Sequence, residues 1–416
     1  LLNKNPITYR QGQHQLPTGE INSAVKKINQ RLTEAGFDAY LVGGAVRDLL
    51  LGRHPKDFDI ATDATPEDIK GIFKGQCRLI GRRFRLAHVY MGSQVYEVAT
   101  FRGSDEGDRV LRKGQIIRDN VYGCIDQDAL RRDFTCNALY YDLESGDILD
   151  FVGGVADLEE GNLKLIGEAD KRFVEDPVRM LRAIRFEAKL GLNLAPGIRH
   201  KIITHRHLLK QVPAARLFDE TIKMFHCGNM LAAYQQLKTL DLFSILFPET
   251  APYLNQDKWH TLLQLAFQNT DERLQDGLSV TPVFLTACVL WPPFIPLYDK
   301  FREHGKAPHD AMHQAAGQVL SQQQKHLMIP RVIQNGLRQM WILQLRFKKM
   351  FGKGVFSTLH HPRFRAGYDF LLLRSQVDDQ LQEQVEFWTQ VQQMPPDAVK
   401  SLIYGKKRKR NIDYRL

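Results

Sequence analysis

Apolar and polar residues follow two different rhythms along this chain, and the change falls near residue 150. Residues 39–42 (Ala39-Tyr40-Leu41-Val42) are a short apolar run closed by Gly43-Gly44, which predicts a strand entering a tight turn. A helix is expected over residues 46–51, stopped by Gly52. From Asp57 to Thr62 charged or small residues alternate with apolar ones, the period-two pattern of a half-buried strand. Thr65-Pro66-Glu67-Asp68 combines a hydroxyl cap, a proline suited to the first helical position and acids for the first turn, and so predicts a helix start. Two more strands are expected over 87–91 and 95–101. Residues 102–118 are rich in glycine and charge without a period and predict a mobile loop. A helix is expected over 126–137, then a hairpin over 140–149 turning at Glu144-Ser145-Gly146-Asp147.

Beyond that point apolar residues recur every three or four positions. Asp176-Pro177 opens a predicted helix that runs to about Leu190 and stops at Gly191, with further helical spacing over 214–226 and 337–347. The expected class is α+β: a mixed α/β head followed by an all-helical remainder. With 416 residues, 43% hydrophobic and 25% charged, the chain has ordinary globular composition and room for several packed units. No apolar run approaches the ~18 residues of a bilayer span, so no transmembrane anchor is expected. The most apolar stretch, 285–298, is broken by Pro292, Pro293 and Pro296. Residues 1–19 lack the apolar centre of a secretory leader. Cys77, Cys124, Cys136, Cys227 and Cys288 have neither disulfide nor zinc spacing, which fits reduced thiols in the cytoplasm. The net charge of +10 favours a polyanionic partner. Lys406, Lys407, Arg408, Lys409 and Arg410 add a basic terminal cluster, read either as an RNA grip or as a solubilising tail.

Candidate chemistry sits mainly in the first half. On one strand, Asp57 and Asp59 would present two carboxylates to the same face. Such a pair suits Mg²⁺, which takes one or two carboxylates and completes its shell with substrate phosphates, although an exposed strand end has the same spelling. Gly43 and Gly44 permit close approach of a phosphate to the backbone, with Arg47 on the next helical turn; the same glycines serve a plain tight turn. Glu97 alternates with Tyr96 and Val98 and supplies a third carboxylate if its strand neighbours the Asp59 strand. Arg131, Arg132, Asp133 and Asn137 combine two phosphate-binding guanidinium groups with a pair one helical turn apart. Glu175, Asp176, Arg179, Arg182 and Arg185 are expected on one helix, as a basic stripe or as local ion pairs. His309-Asp310 with His313 hints at a metal phosphohydrolase but lacks further spaced ligands.

The order of these blocks, Gly43-Gly44-Ala45-Val46-Arg47-Asp48, then Asp57-Phe58-Asp59, then Arg131-Arg132-Asp133-Phe134-Thr135-Cys136-Asn137, then Glu175-Asp176-Pro177-Val178-Arg179-Met180-Leu181-Arg182, resembles the class II nucleotidyltransferases. This family comprises bacterial poly(A) polymerases and tRNA CCA-adding enzymes within the polymerase β superfamily. The resemblance implies a nucleotidyltransferase head over 22–150, a base-recognising neck over 151–212, an RNA-binding body over 213–330, a helical leg over 331–405 and a basic tail over 406–416. It implies that Asp57 and Asp59 hold catalytic Mg²⁺ (with Mn²⁺ as a substitute), with Glu97 and Asp133 as further catalytic carboxylates. Gly43, Gly44, Arg47, Asp48, Arg131, Arg132 and Asn137 would bind the nucleotide, and Glu175, Asp176, Arg179 and Arg182 would read its base. ATP and RNA 3′ ends are the implied substrates. Leu79-Ile80-Gly81-Arg82-Arg83-Phe84-Arg85-Leu86-Ala87-His88 resembles the block that separates poly(A) polymerases from CCA-adding enzymes. The rival expectations are CCA addition and a non-catalytic RNA-binding protein.

Overall fold

The computed structural model describes residues 5–81, 85–103, 110–112, 115–118 and 122–403. The chain divides into two compact units, one of Leu1–Glu175 with Gly191–Lys201 and one of Asp176–Leu190 with Ile202–Leu416.

The first unit is built on strands β1 (Ile7–Tyr9), β2 (Ala39–Val42), β3 (Asp59–Thr62), β4 (Cys77–Ile80), β5 (Leu86–Met91), β6 (Gln94–Thr100), β7 (Val110–Arg112), β8 (Gln115–Arg118), β9 (Leu139–Tyr141) and β10 (Ile148–Asp150). Eight of them form one sheet in the order β1-β10-β9-β2-β3-β6-β5-β4. All neighbours are antiparallel except β3 and β6, whose parallel register sets Asp59 beside Glu97 and Ile60 beside Val98. The expected hairpin is present, with β9 and β10 paired around Gly146. The loop expectation for 102–118 needs correction, because β7 and β8 pair as a separate ribbon. Segments of three and four residues are too short for a period to register.

Helices α1 (Ser23–Glu34), α2 (Gly44–Leu50), α3 (Pro66–Phe73), α4 (Ile125–Arg131), α5 (Gly154–Glu159) and α6 (Ala169–Glu175) belong to this unit. In α1 the side chain of Asn22 accepts the amide of Ala24, and Val25, Ile28 and Leu32 face inward at helical spacing. α3 starts on a full capping box of Thr65 and Asp68 with Pro66 in its first turn, as the sequence predicts. α4 ends six residues before the expected Asn137: the chain turns extended at Arg132, then makes one tight turn over Thr135–Asn137. Its cause is local. The Asp133 carboxylate accepts from the amide of Phe134 at 2.9 Å and from Asn137 Nδ2 at 3.0 Å, bonds that compete with the helical ladder. The core around this turn packs Ala129 of α4 against Val42, Ala61, Phe101, Ala138 and Tyr140.

Within its described residues the second unit is helical. α7 (Val178–Leu190) opens it and stops at Gly191, whose φ of 70° suits glycine. The expected single helix from Glu175 to Arg185 is two helices, because Pro177 lacks an amide donor and biases Asp176 away from helical torsions. The basic stripe fails too. Arg185 is 9% exposed and its Nε donates to the Glu220 carboxylate on the helix Ala214–Phe225, which is 4% exposed. The predicted helix over 337–347 begins earlier, as Arg331–Phe347 following Pro330. Its Trp341 donates from Nε1 to the Ala287 carbonyl at 3.2 Å, and Trp388 to that of Phe347 at 2.8 Å, so both indoles are buried with their polar atom satisfied. Among the described residues no helix is long and apolar enough to cross a membrane.

Candidate active site

Asp59 is the first residue of β3, half-buried, while Asp57 precedes the strand and is exposed. The expectation of both carboxylates on one strand is therefore corrected: the strand starts two residues later than the alternation suggests. Asp59 nevertheless lies in a field of like charge. Its carboxyl is pushed up to about 6, first by burial, then by Glu97, with Asp57 adding and Arg132 opposing. Glu97 is the stronger acidic neighbour, as the parallel β3–β6 register requires. On β6, Tyr96 and Val98 point into the core and Glu97 to the exposed face, where its Oε1 lies 3.5 Å from His88 Nε2 on β5.

The pKa of Asp59 carries a stability consequence with a definite sign. The folded value near 6 exceeds the ordinary 3.8, so between the two the native state holds a proton that the unfolded chain has lost. That contribution is fully present below the unfolded value and disappears as pH rises through about 6. Asp59→Asn is permanently neutral and is expected to melt above wild type at pH 8 in chelator, with the gap closing on acidification toward pH 4. A gap independent of pH would reject the assignment.

Beside the acids lies a buried network. Arg132 donates from Nε and Nη2 to Asp128 Oδ2 at 3.0 and 2.9 Å, and from Nη1 to the carbonyl of Asn137 at 3.2 Å. Tyr140 donates its hydroxyl to the same Asp128 oxygen at 2.6 Å. Burial alone would raise the Asp128 carboxyl, but Arg132 and Tyr140 outweigh it and hold it below its usual range. Gly43 closes the turn after β2 with φ 73°, and a Cβ there would stand 3.2 Å from Arg132 Nη1. The torsion at this position calls for glycine, and an added Cβ would also press on the Arg132 guanidinium. Arg131 donates to the Gly103 carbonyl at 2.5 Å.

Arg47 is placed differently from the phosphate-facing role expected of it. It is 3% exposed, donates to Asp48 Oδ1 from Nε and Nη2 at 2.8 and 2.6 Å, and donates from Nη1 to Asn137 Oδ1. Arg47, Asp48, Asn137 and Asp133 thus form one chain of hydrogen bonds beneath Gly43 and Gly44. Arg172 of α6 went unnoticed in the sequence. Its guanidinium donates from Nη2 to the carbonyls of Arg131 and Arg132 and from Nη1 to Glu175 at 2.8 Å, so it pins the backbone just ahead of Asp133. Asp128 was also missed, although its i,i+4 spacing to Arg132 was a usable signal.

The boundary between the units falls between Glu175 and Asp176. Glu175 belongs to the first unit and is held by Arg172. In the second, Asp176 caps α7 through the amide of Val178 at 3.2 Å and accepts from Arg216 at 2.6 Å. Arg179 is half-buried on the first turn of α7, and Arg182 lies 5.2 Å from the Phe186 ring centre. Lys406 to Arg410 and Arg82 to Phe84 lie outside the described residues. Among the described residues no three His, Cys, Asp or Glu side chains form a ready-made metal cage. Asp59 with Asp57 fits a hard cation that takes its remaining ligands from substrate, since a cation there relieves the repulsion that raises the Asp59 carboxyl.

Comparison with known proteins adds to this geometry. Residues 39–164 match the family model of the poly A polymerase head domain, 191–254 that described as "Probable RNA and SrmB- binding site of polymerase A", and 304–415 that of the polymerase A arginine-rich C-terminus. The chain is 42% identical over 404 residues to poly(A) polymerase I of Salmonella typhi, spanning 94% of this chain and 87% of that protein. It is 42% identical over 399 residues to poly(A) polymerase I of Escherichia coli O157:H7, spanning 92% and 86%. A CCA-adding enzyme of Lactobacillus helveticus is 41% identical over 197 residues, only 47% of this chain and 48% of that one. Among solved structures, a tRNA nucleotidyltransferase complexed with a primer tRNA and an incoming ATP analog has the same fold, with a TM-score of 0.59 at 20% identity over 87% of this chain and 97% of that one.

Proposed function

This chain belongs to the bacterial poly(A) polymerase family, and from that premise we propose that its head adds AMP from ATP to RNA 3′ ends, Asp57 and Asp59 being the metal-binding pair. The protein is a template-independent polynucleotide adenylyltransferase. In each cycle the RNA 3′-oxygen bonds to the α-phosphorus of ATP, the bond from that phosphorus to the β-phosphate oxygen breaks, the hydroxyl proton leaves to solvent and pyrophosphate departs. The observation that carries the site assignment is the half-buried Asp59 carboxyl, raised by burial, Glu97 and Asp57 together. Divalent Mg²⁺, held by Asp57 and Asp59, would supply a lowered pKa for the attacking hydroxyl and neutralisation of the triphosphate.

The chain's own groups do the rest. Gly43 and Gly44 leave backbone room for the triphosphate, and Arg131 and Arg132 offer it positive charge. Arg47, Asp48, Asn137 and Asp133 fix the floor on which it rests, a positioning role that differs from direct contact. Glu97 adds negative charge beside Asp59, sharpening the site for a cation. Glu175, Asp176, Arg179 and Arg182 read the adenine edge, and Lys406, Lys407, Arg408, Lys409 and Arg410 grip the RNA backbone through charge. We assign the reaction to the cytoplasm, a reading supported by ATP and RNA as substrates and by five cysteines outside any disulfide.

The test is incubation of pure protein with a non-tRNA oligonucleotide, Mg²⁺ and each NTP in turn. Long ladders with ATP alone are expected; addition confined to CTP and ATP on tRNA lacking its CCA end would sink the polyadenylation reading. Arg179→Ala is expected to relax the preference for ATP over CTP and GTP by about tenfold or more, the loss of one hydrogen-bonded charge. Unchanged selectivity would remove Arg179 from base recognition.

A further inference from the structure

Far along the second unit, a small recess of about 60 Å³ is lined by Lys258, Trp259, Leu262, Trp291, Arg374 and Asp378. At its floor the Arg374 guanidinium stacks over the Trp291 ring at 4.6 Å from the centroid, with Phe370 at 5.9 Å. Among the described residues it donates one hydrogen bond, from Nη1 to Gln344 Oε1 at 2.9 Å, and no carboxylate lies within ion-pair distance of it. A guanidinium carries five donors in a planar fork, so most of this one's donor capacity is unspent. Burial pushes its pKa down to about 10 against the weak opposing pull of Asp378, which marks a cation short of negative charge. At the rim, Lys258 Nζ stands 3.5 Å from Asp378 Oδ2 and 5.1 Å from the Trp259 ring centroid, with both charged side chains partly open to solvent.

We propose that this recess is a second anchoring point for RNA, in which a backbone phosphate of the single-stranded substrate bonds to Arg374 while Lys258 leaves Asp378 to join it. The inference rests on RNA being the substrate. It concerns residues that lie outside the head and beyond 191–254, the segment whose family model is described as RNA-binding. A planar fork at the floor suits a tetrahedral oxyanion. The recess has room for one phosphate-sized group, with Leu262 and the indole of Trp259 among its lining residues. Asp378 keeps the rim neutral until an anion displaces it, which favours a polyanion that pays the exchange through several phosphates over a single small ion.

The experiment uses the full chain and follows labelled oligo(A) by anisotropy across a salt series, alongside addition of one AMP to a short primer at saturation. Lys258→Glu is expected to weaken long oligo(A) about tenfold and to flatten the log–log salt slope by about one, with single addition to the short primer unchanged. Asp378→Asn frees Lys258 and is expected to tighten binding about threefold. Arg374→Gln should act like Lys258→Glu, and if it fails to fold the two rim variants decide. Wild-type affinity and slope in Lys258→Glu overturn the proposal. So does equal competition by inorganic phosphate, AMP or polyglutamate, which would make the recess a small-anion or protein site. Loss of single addition in wild type itself would instead count against the catalytic reading of the head.

Discussion

Asp59→Ala is expected to lower AMP incorporation by about three orders of magnitude or more, with no loss of folded protein. The expected size follows from the chemistry: a cation that organises a triphosphate and an attacking hydroxyl contributes several kcal/mol at the transition state, and about 1.4 kcal/mol is a factor of ten in rate. Retained folding follows from the electrostatics. Asp59 is half-buried, and its charge is resisted by burial, by Glu97 and by Asp57, so the apo fold gains nothing from ionising it. Asp57→Ala should fall as far in rate, because a cation held by one carboxylate loses both affinity and orientation. The measurement is single-turnover extension of an oligonucleotide, with circular dichroism on the same samples. Near-normal turnover in either variant would remove the pair from the site. Glu97→Gln should cost less, because Glu97 acts on Asp59 through its field, and it should bring the Asp59 carboxyl back toward 3.8.

Glu220→Ala is expected to destabilise the second unit by about 3–5 kcal/mol, the usual cost of leaving a buried charge without its partner. Arg185 would then keep a guanidinium at 9% exposure with its carboxylate gone, still stacked on the face of Phe186 at 4.3 Å. Lys223, 3.9 Å from Glu220 and largely exposed, is a second cation and offers Arg185 no compensation. Replacing both members, Arg185→Met with Glu220→Leu, should recover most of the loss, since two apolar chains of similar volume carry no desolvation cost. Urea denaturation of the two proteins measures the difference. A single-variant loss below about 1 kcal/mol would show the pair to be weakly coupled to the fold.

The sequence made the head legible where a short local rule decides the outcome. The capping box at Thr65 and Asp68, the strand before Gly43 and the hairpin at Gly146 depend on near neighbours alone. What it hid depends on residues far apart in the chain or on competing local bonds. The alternation from Asp57 to Thr62 could not say where pairing begins, because pairing needs β2 and β6 as partners. The early end of α4 came from Asp133 capturing the amide of Phe134, a bond no apolar period reports. Among site residues, Arg47 looked like a ligand contact because it follows a glycine turn, whereas the structure buries it with hydrogen bonds to Asp48 and Asn137. Arg172 carried only its i,i+3 spacing to Glu175, which says nothing of its main-chain carbonyl partners forty residues away. Arg185 was misread for the opposite reason: its spacing to Arg179 and Arg182 suggested a surface, and only packing against Glu220 shows otherwise.

One small arrangement just after β10 bears on how the Thr135–Asn137 turn keeps its place over generations of mutation. The Asp150 carboxylate accepts the amides of Val152, Gly153, Gly154 and Val155 at 2.8–3.1 Å, gathering the start of α5 onto the last strand. Gly154 then lies so close to Thr135 that a Cβ would come within 2.3 Å of its carbonyl oxygen. The Thr135–Asn137 turn is therefore backed by main chain, with no side chain interposed to swap rotamers. Drift elsewhere along α5 can change what the helix shows to water without moving Asn137, while the two positions that set the spacing, Asp150 and Gly154, have almost no room to vary.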